Sequence, residues 1–269
     1  MSKATPHRDI VLDDLLKDVQ KLVRQAARSR KATITVSPEV ASLLESITPP
    51  PEPAIVEQTG SEEFEALRAE VSECRKCRLW ESRTQTVFGG GNPNADLVFV
   101  GEAPGENEDL QGIPFVGRAG QLLTDIVEKG MKMSRQDIFI CNVLKCRPPD
   151  NRDPRPDEKE ACLPYLLRQL EMIKPKVICA LGGHAAKTLL KTEESVGRLR
   201  GKWHFYQGIP VRVTYHPSYV VRSEREPARY KADKRRVWED IQEIMRVLRG
   251  EITPRPEGGA DSGTPDLFG

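Results

Sequence analysis

The chain lacks any apolar run of membrane-spanning length, and it does not open on the charged and apolar segments of a secretion signal. Neither export nor membrane insertion is expected, and the compartment these absences point to is the reducing cytoplasm. A charge excess is missing too: 41 Lys and Arg stand against 40 Asp and Glu, a formal net charge of +1. No global basic field advertises nucleic acid, so any phosphate-binding surface has to be local. Histidine is scarce, with four in the chain. Cysteine is modest, and six thiols in a reducing compartment read as metal ligands or small buried hydrophobes rather than as three disulfides.

What is present is one body with extensions. A length of 269 residues with 38% hydrophobic content supports a single sizeable core. Residues 8 to 31 place Leu12, Leu15, Leu16, Val19, Leu22 and Val23 at helical spacing, an amphipathic helix, and Pro49, Pro50, Pro51 and Pro53 then form a stiff spacer. The expected division is an N-terminal helix and linker over 1–60, a catalytic-sized domain over 61–250 and a disordered tail over 251–269, rich in proline and glycine.

Inside the domain, strand and helix patterns alternate. Asp96–Val100, Ile138–Cys141, Val177–Leu181 and Val211–Tyr215 read as four strands. Helical patterns follow at 122–127, at a segment capped by Asp157 and ended by Pro175, after Gly182-Gly183, and near 227–249. This alternation predicts an α/β fold of three layers, α/β/α, around a central, mostly parallel four-stranded sheet. Ligands of such sheets sit beyond the carboxyl ends of the strands. Glu102, Asn142 and His216 each follow a strand directly, so three polar groups distant in sequence should meet in one crevice.

Cys74-x2-Cys77 supplies half of a metal site, and Cys146 and Cys162 supply the other half. Zinc and an iron–sulfur cluster both accept four thiolates, and the spacing leaves both open. Cys141 and Cys179 lie within apolar strands and read as buried hydrophobes.

Together, Gly101-Glu102-Ala103-Pro104-Gly105, Asn142, Lys145-Cys146-Arg147-Pro148-Pro149, Ala161-Cys162-Leu163-Pro164 and His216-Pro217-Ser218-Tyr219 resemble the motifs of the family-4 uracil-DNA glycosylases, the iron–sulfur branch of that repair superfamily. The resemblance implies a [4Fe–4S] cluster on Cys74, Cys77, Cys146 and Cys162, with uracil-containing DNA as the substrate. It implies a uracil pocket of Glu102, Ala103, Glu108, Phe115, Asn142 and His216. Phe115 would stack on the base, and Glu108 would crowd its C5 position against a methyl group. His216 would donate a hydrogen bond to the uracil O2, and Asn142 would pair with the N3–H and O4 edge, which a carboxamide matches and cytosine reverses. Family-1 members carry an aspartate where this chain has Ala103, which leaves Glu102 as the candidate for water activation, with an electrostatic or backbone-binding role as its alternative. That departure also supports the alternative of a noncatalytic iron–sulfur module that binds uracil or nucleic acid. The Lys-Arg-Arg-Ile-His insertion of covalently trapping relatives is absent after Cys146, which favours turnover.

Ser218, Tyr219 and Val220 are expected to press into the duplex, with Arg222 on phosphate. Between Pro217 and Arg236, seven basic residues outnumber three acidic ones, a local excess suited to phosphate contacts. His184 receives no role from its pattern. Leu267-Phe268, at the end of the tail, resembles short peptides that dock bacterial sliding clamps.

Overall fold

A computed structural model of the chain describes residues 61–255. The expected amphipathic helix over 8–31, the proline spacer, the boundary near 60 and the clamp-docking end of the tail lie outside the described residues.

A first helix, α1 (Glu62–Ser72), starts where Ser61 accepts a hydrogen bond from the Phe64 N–H. After it come β1 (Gly90–Gly91), β2 (Leu97–Gly101), α2 (Glu106–Gln111) and α3 (Arg118–Asp125), which runs on into a π-helical turn over Ile126–Met131. Next are β3 (Phe139–Asn142), α4 (Pro156–Ile173), β4 (Val177–Leu181), α5 (Gly183–Leu190) and the short α6 (Val196–Leu199). A hairpin of β5 (Trp203–Tyr206) and β6 (Ile209–Thr214) precedes α7 (Pro217–Arg222) and α8 (Pro227–Leu248). No helix among the described residues is long and apolar enough to cross a membrane.

The strands form one six-stranded sheet in the order β1-β3-β2-β4-β6-β5, with β3, β2, β4 and β6 parallel and the two outer strands antiparallel. Both faces are covered, which explains why the central strands read as unbroken apolar runs. Val98, Val100, Ile178 and Val213 join α1, α4 and α5 in one core layer; Leu97, Phe99, Cys179 and Leu181 join α3, α7 and α8 in the other. Side chains alternate along each strand, so each strand serves both layers. The three-layer α/β/α architecture is thus as expected.

The sheet has two strands more than the sequence pattern indicated. β1 is a pair of glycines with no side-chain alternation to read, and β5 is half-buried throughout. The turn that makes β5 was visible in retrospect: Gln207 and Gly208 both take left-handed backbone angles, φ 48° and 83°, as a two-residue hairpin turn requires. One helix start also differs. Arg155, not Asp157, caps α4; its N–H donates to Glu158 at 2.9 Å, while Asp157 sits in the first turn, where an acidic side chain favours the helix dipole.

The chain places β2 in the middle, adds β3 on one side, then returns to add β4 and β6 on the other. That reversal opens a crevice at the carboxyl ends of the strands.

Candidate functional site

The crevice is a cleft of about 750 Å³ whose lining includes Glu102, Ala103, Glu108, Phe115, Asn142, His216, Ser218, Tyr219 and Arg222. All of the expected uracil-pocket residues are therefore in one place. Gly101 ends β2 directly opposite Asn142 in the parallel register. A Cβ on Gly101 would lie 2.3 Å from the Asn142 Oδ1 and 2.7 Å from the Phe115 ring, so only glycine lets these two side chains close over the strand end.

Glu108, in α2, holds the walls of the cleft together. Its Oε1 accepts from the N–H groups of Val116 and Gly117 at 2.8 and 2.9 Å, and its Oε2 accepts from the Gly105 N–H at 3.1 Å. One carboxylate thus fixes the loop after β2 to the loop that carries Phe115. Phe115 takes φ 54°, left-handed for a bulky residue, and its carbonyl packs against Gly120, where a Cβ would come within 2.0 Å of the Phe115 oxygen. Arg135 donates to the Pro114 carbonyl at 2.8 Å and steadies the same loop.

Asn142 is buried, and its side-chain oxygen has no hydrogen-bond partner. Across the cleft, His216 caps α7: its Nδ1 accepts from the Ser218 N–H at 3.1 Å and lies 2.8 Å from the Ser218 hydroxyl. With Nδ1 occupied as an acceptor, the proton of the neutral ring sits on Nε2, which is left free to donate. Burial, with smaller contributions from Arg222 and His184, pushes the His216 pKa down to about 4, so the ring is neutral at neutral pH. The His216 and Phe115 rings are 5.6 Å apart, and Gly182, at φ 88°, admits the histidine because a Cβ there would approach it to 2.9 Å.

Glu102 is about 29% exposed on its side chain, and burial raises its pKa. Its neighbour was not foreseen. His184, at the start of α5, places Nε2 3.8 Å from Glu102 and 3.8 Å from Asp153. Gly182 and Gly183 separate it from β4, so it is not among the residues that follow a strand directly.

At the rim, Ser218, Tyr219 and Arg222 line the cleft, but Val220 does not face it. Val220 is 1% exposed, packed in the apolar layer with Phe99, Leu123 and Ile241, so the expectation that it presses into a duplex is corrected. On a helix that buries one face, the residue next to Tyr219 faces inward. Tyr219 stacks on Tyr215 at 5.0 Å, and Arg229 lies over it at 5.4 Å. The basic excess of this region is also partly neutralised: Arg229, Arg235 and Arg236 pair with Glu226, Glu239 and Asp233 one turn away.

Behind the loop after β3, Cys74, Cys77, Cys146 and Cys162 line a single small pocket, while Cys141 and Cys179 are fully buried in their strands. None of the six cysteines is joined to another in a disulfide. Four sulfur donors fit a four-thiolate metal group, and the surroundings fit its negative charge. Arg83 donates to the Cys146 sulfur at 3.2 Å, the Lys145 N–H donates to the Cys162 sulfur at 3.2 Å, and the Tyr165 hydroxyl on the pocket wall faces Cys74 and Lys76. Lys145 also joins the two sites: its buried ammonium donates to the Asn142 carbonyl at 2.8 Å and to Gln169 at 2.6 Å.

The model of the uracil DNA glycosylase superfamily matches residues 88–242. A type-4 uracil-DNA glycosylase of Saccharolobus solfataricus is 43% identical over 201 residues, covering 72% of this chain and 88% of the relative. One from Thermotoga maritima is 43% identical over 196 residues, covering 72% and 98%. A DNA polymerase of Bacillus phage SP01 is 28% identical over 148 residues, 55% of this chain and 16% of that much longer protein.

Proposed function

This chain belongs to the uracil DNA glycosylase superfamily, and from that premise we propose that the cleft takes a uracil nucleotide flipped from DNA and that its named residues carry the hydrolysis. The activity is that of a DNA repair glycosylase: it cuts the N-glycosidic bond, releases free uracil and leaves an abasic site. The noncatalytic alternative is not favoured by relatives this similar.

The observation that carries the site reading is the Asn142 side-chain oxygen, buried with no partner on the wall of the cleft that Phe115 and His216 also line. A buried acceptor left unpaired costs about 1–3 kcal/mol, and uracil N3–H offers the missing donor. The Asn142 amide nitrogen then meets O4. Cytosine presents the reverse pattern and would leave both ends unpaired. Phe115 supplies the face on which the base stacks, and Glu108 supplies a wall fixed by its three N–H donors.

As the bond breaks, negative charge gathers on the uracil O2 and the sugar becomes cation-like. The neutral His216 donates from Nε2 to that oxygen. Glu102, the carboxylate nearest the strand end, orients the attacking water. Ser218, Tyr219 and Arg222 meet the DNA at the rim.

Cys74, Cys77, Cys146 and Cys162 would hold a [4Fe–4S] cluster, which bound there ties α1, the loop after β3 and α4 together and supplies no step of hydrolysis. Leu267-Phe268 supports a sliding-clamp contact by its residues alone, and titration of a C-terminal peptide against a clamp tests it. Release of labelled uracil from a uracil-containing oligonucleotide tests the whole reading; wild-type protein with full iron and no release would overturn it.

A further inference from the structure

We propose that His184 is a positioning residue for the attacking water, because it holds Glu102 in the ionised form that can accept the water's proton. The proposal rests on the reading of Glu102 as the water-activating group.

A general base has to be within reach of its proton and has to be ionised when the proton arrives. Glu102 lines the cleft just after the end of β2, where a water could meet it, but its burial opposes the second requirement. Four groups from separate elements face it: His184 on α5, Asp153 in the loop after β3, Lys159 on α4 and Arg222 on α7. Of these, His184 has the largest influence, and in its charged form it favours the Glu102 carboxylate. Asp153 acts the other way, and it is 85% exposed, so water screens it. His184 Nε2 lies 3.8 Å from each carboxylate, and the three side chains bring polar atoms within 4.8 Å of one another.

In the step itself, the water oxygen bonds to C1′ as the C1′–N1 bond breaks. The bonding pair leaves on uracil, whose O2 is held by His216. The water proton passes to Glu102 and from there to solvent, and the uracil anion takes a proton from solvent. His184 touches none of the reacting atoms; it sets the protonation state of the group that does.

The test is the pH dependence of single-turnover uracil release from a duplex by the intact iron-loaded protein. His184→Asn should move the acid limb to higher pH by about one unit, which is about tenfold in rate on that limb. Substrate affinity and the alkaline plateau should change little, a split that a general loss of structure would not produce. Asp153→Asn, an exposed substitution that leaves the fold alone, should move the limb the opposite way and by less. A His184→Asn limb at the wild-type position, or Asp153→Asn moving it in the same direction, overturns the pairing. Glu102→Gln separates this from failure of the underlying reading: an inactive Glu102→Gln beside an unmoved His184→Asn limb removes His184 alone, whereas a Glu102→Gln variant with the wild-type rate removes Glu102 and the pairing together.

Discussion

The thiolate pocket and the cleft share one segment, Asn142 to Cys146, and a polar side chain marks each wall: the Tyr165 hydroxyl beside Cys74 and Lys76 in the first, and the buried, unpartnered Asn142 side-chain oxygen in the second. Their walls differ in kind. The pocket offers four identical sulfurs with Arg83 and a backbone N–H already aimed at them, a set that selects its occupant by softness and charge. The cleft offers unlike groups from separate strand ends, among them a carboxamide, a neutral imidazole and a carboxylate. Sulfur ligands act as a unit, whereas hydrogen-bond donors and acceptors act by increments. Damage to the first should be all-or-none, and damage to the second graded.

The largest effect therefore belongs to the pocket. Cys146→Ser should lose bound iron and sulfide altogether, and Cys179→Ser, whose thiol is buried in β4, should keep both. Iron and sulfide analysis of anaerobically prepared protein checks this. One zinc per chain without sulfide would change the metal while keeping the ligands. In the cleft, His216→Ala and Asn142→Ala should retain iron and lose about 10²–10³ in single-turnover rate, the usual cost of one charge-stabilising donor. A parallel loss of iron in either variant would mean that the two sites are not separable, with Lys145 as the link.

The contrast also explains what the sequence could disclose. Central strands buried on both faces print as apolar runs, so Val177–Leu181 was visible, while β1 and β5 had no such print. The cleft residues were found because a polar residue directly after a buried strand has few places to go. His184 escaped because it follows Gly182-Gly183 on a helix start, where a histidine is commonplace. Val220 was misplaced because periodicity over the six residues of α7 is too short to show which face turns inward. The bonds of Glu108 join segments that only folding brings together, so no local pattern announces them.

The pKa of His216 is about 4 in the folded protein, below its unfolded value of about 6.5. Stability from keeping the ring neutral is complete above pH 6.5 and lost as pH falls through 4, because the unfolded chain binds the proton first. Denaturant unfolding at pH 7 and pH 5 should show about 2 kcal/mol of this loss, absent from His216→Ala. Gly120→Ala places a Cβ against the Phe115 carbonyl and should cost about 1–3 kcal/mol of stability. Gly197→Ala, with its nearest neighbour 3.9 Å away, is the control and should cost little.

The smallest effect falls on Ser218, and it decides how His216 keeps its tautomer. Two groups of this one residue face Nδ1: the backbone N–H at 3.1 Å and the hydroxyl at 2.8 Å. The N–H can only donate, so it alone forces Nδ1 to accept and puts the proton on Nε2. The hydroxyl can donate or accept and is shared with Arg222 at 3.5 Å, so it adds orientation rather than choice of tautomer. Ser218→Ala removes the hydroxyl and leaves the N–H in place. A neutral hydrogen bond is worth about 1 kcal/mol net, so the single-turnover rate should fall by less than about tenfold. A loss as large as that of His216→Ala would put the hydroxyl in control of the tautomer. A loss of DNA affinity without a change in rate would place it on phosphate instead of on the histidine.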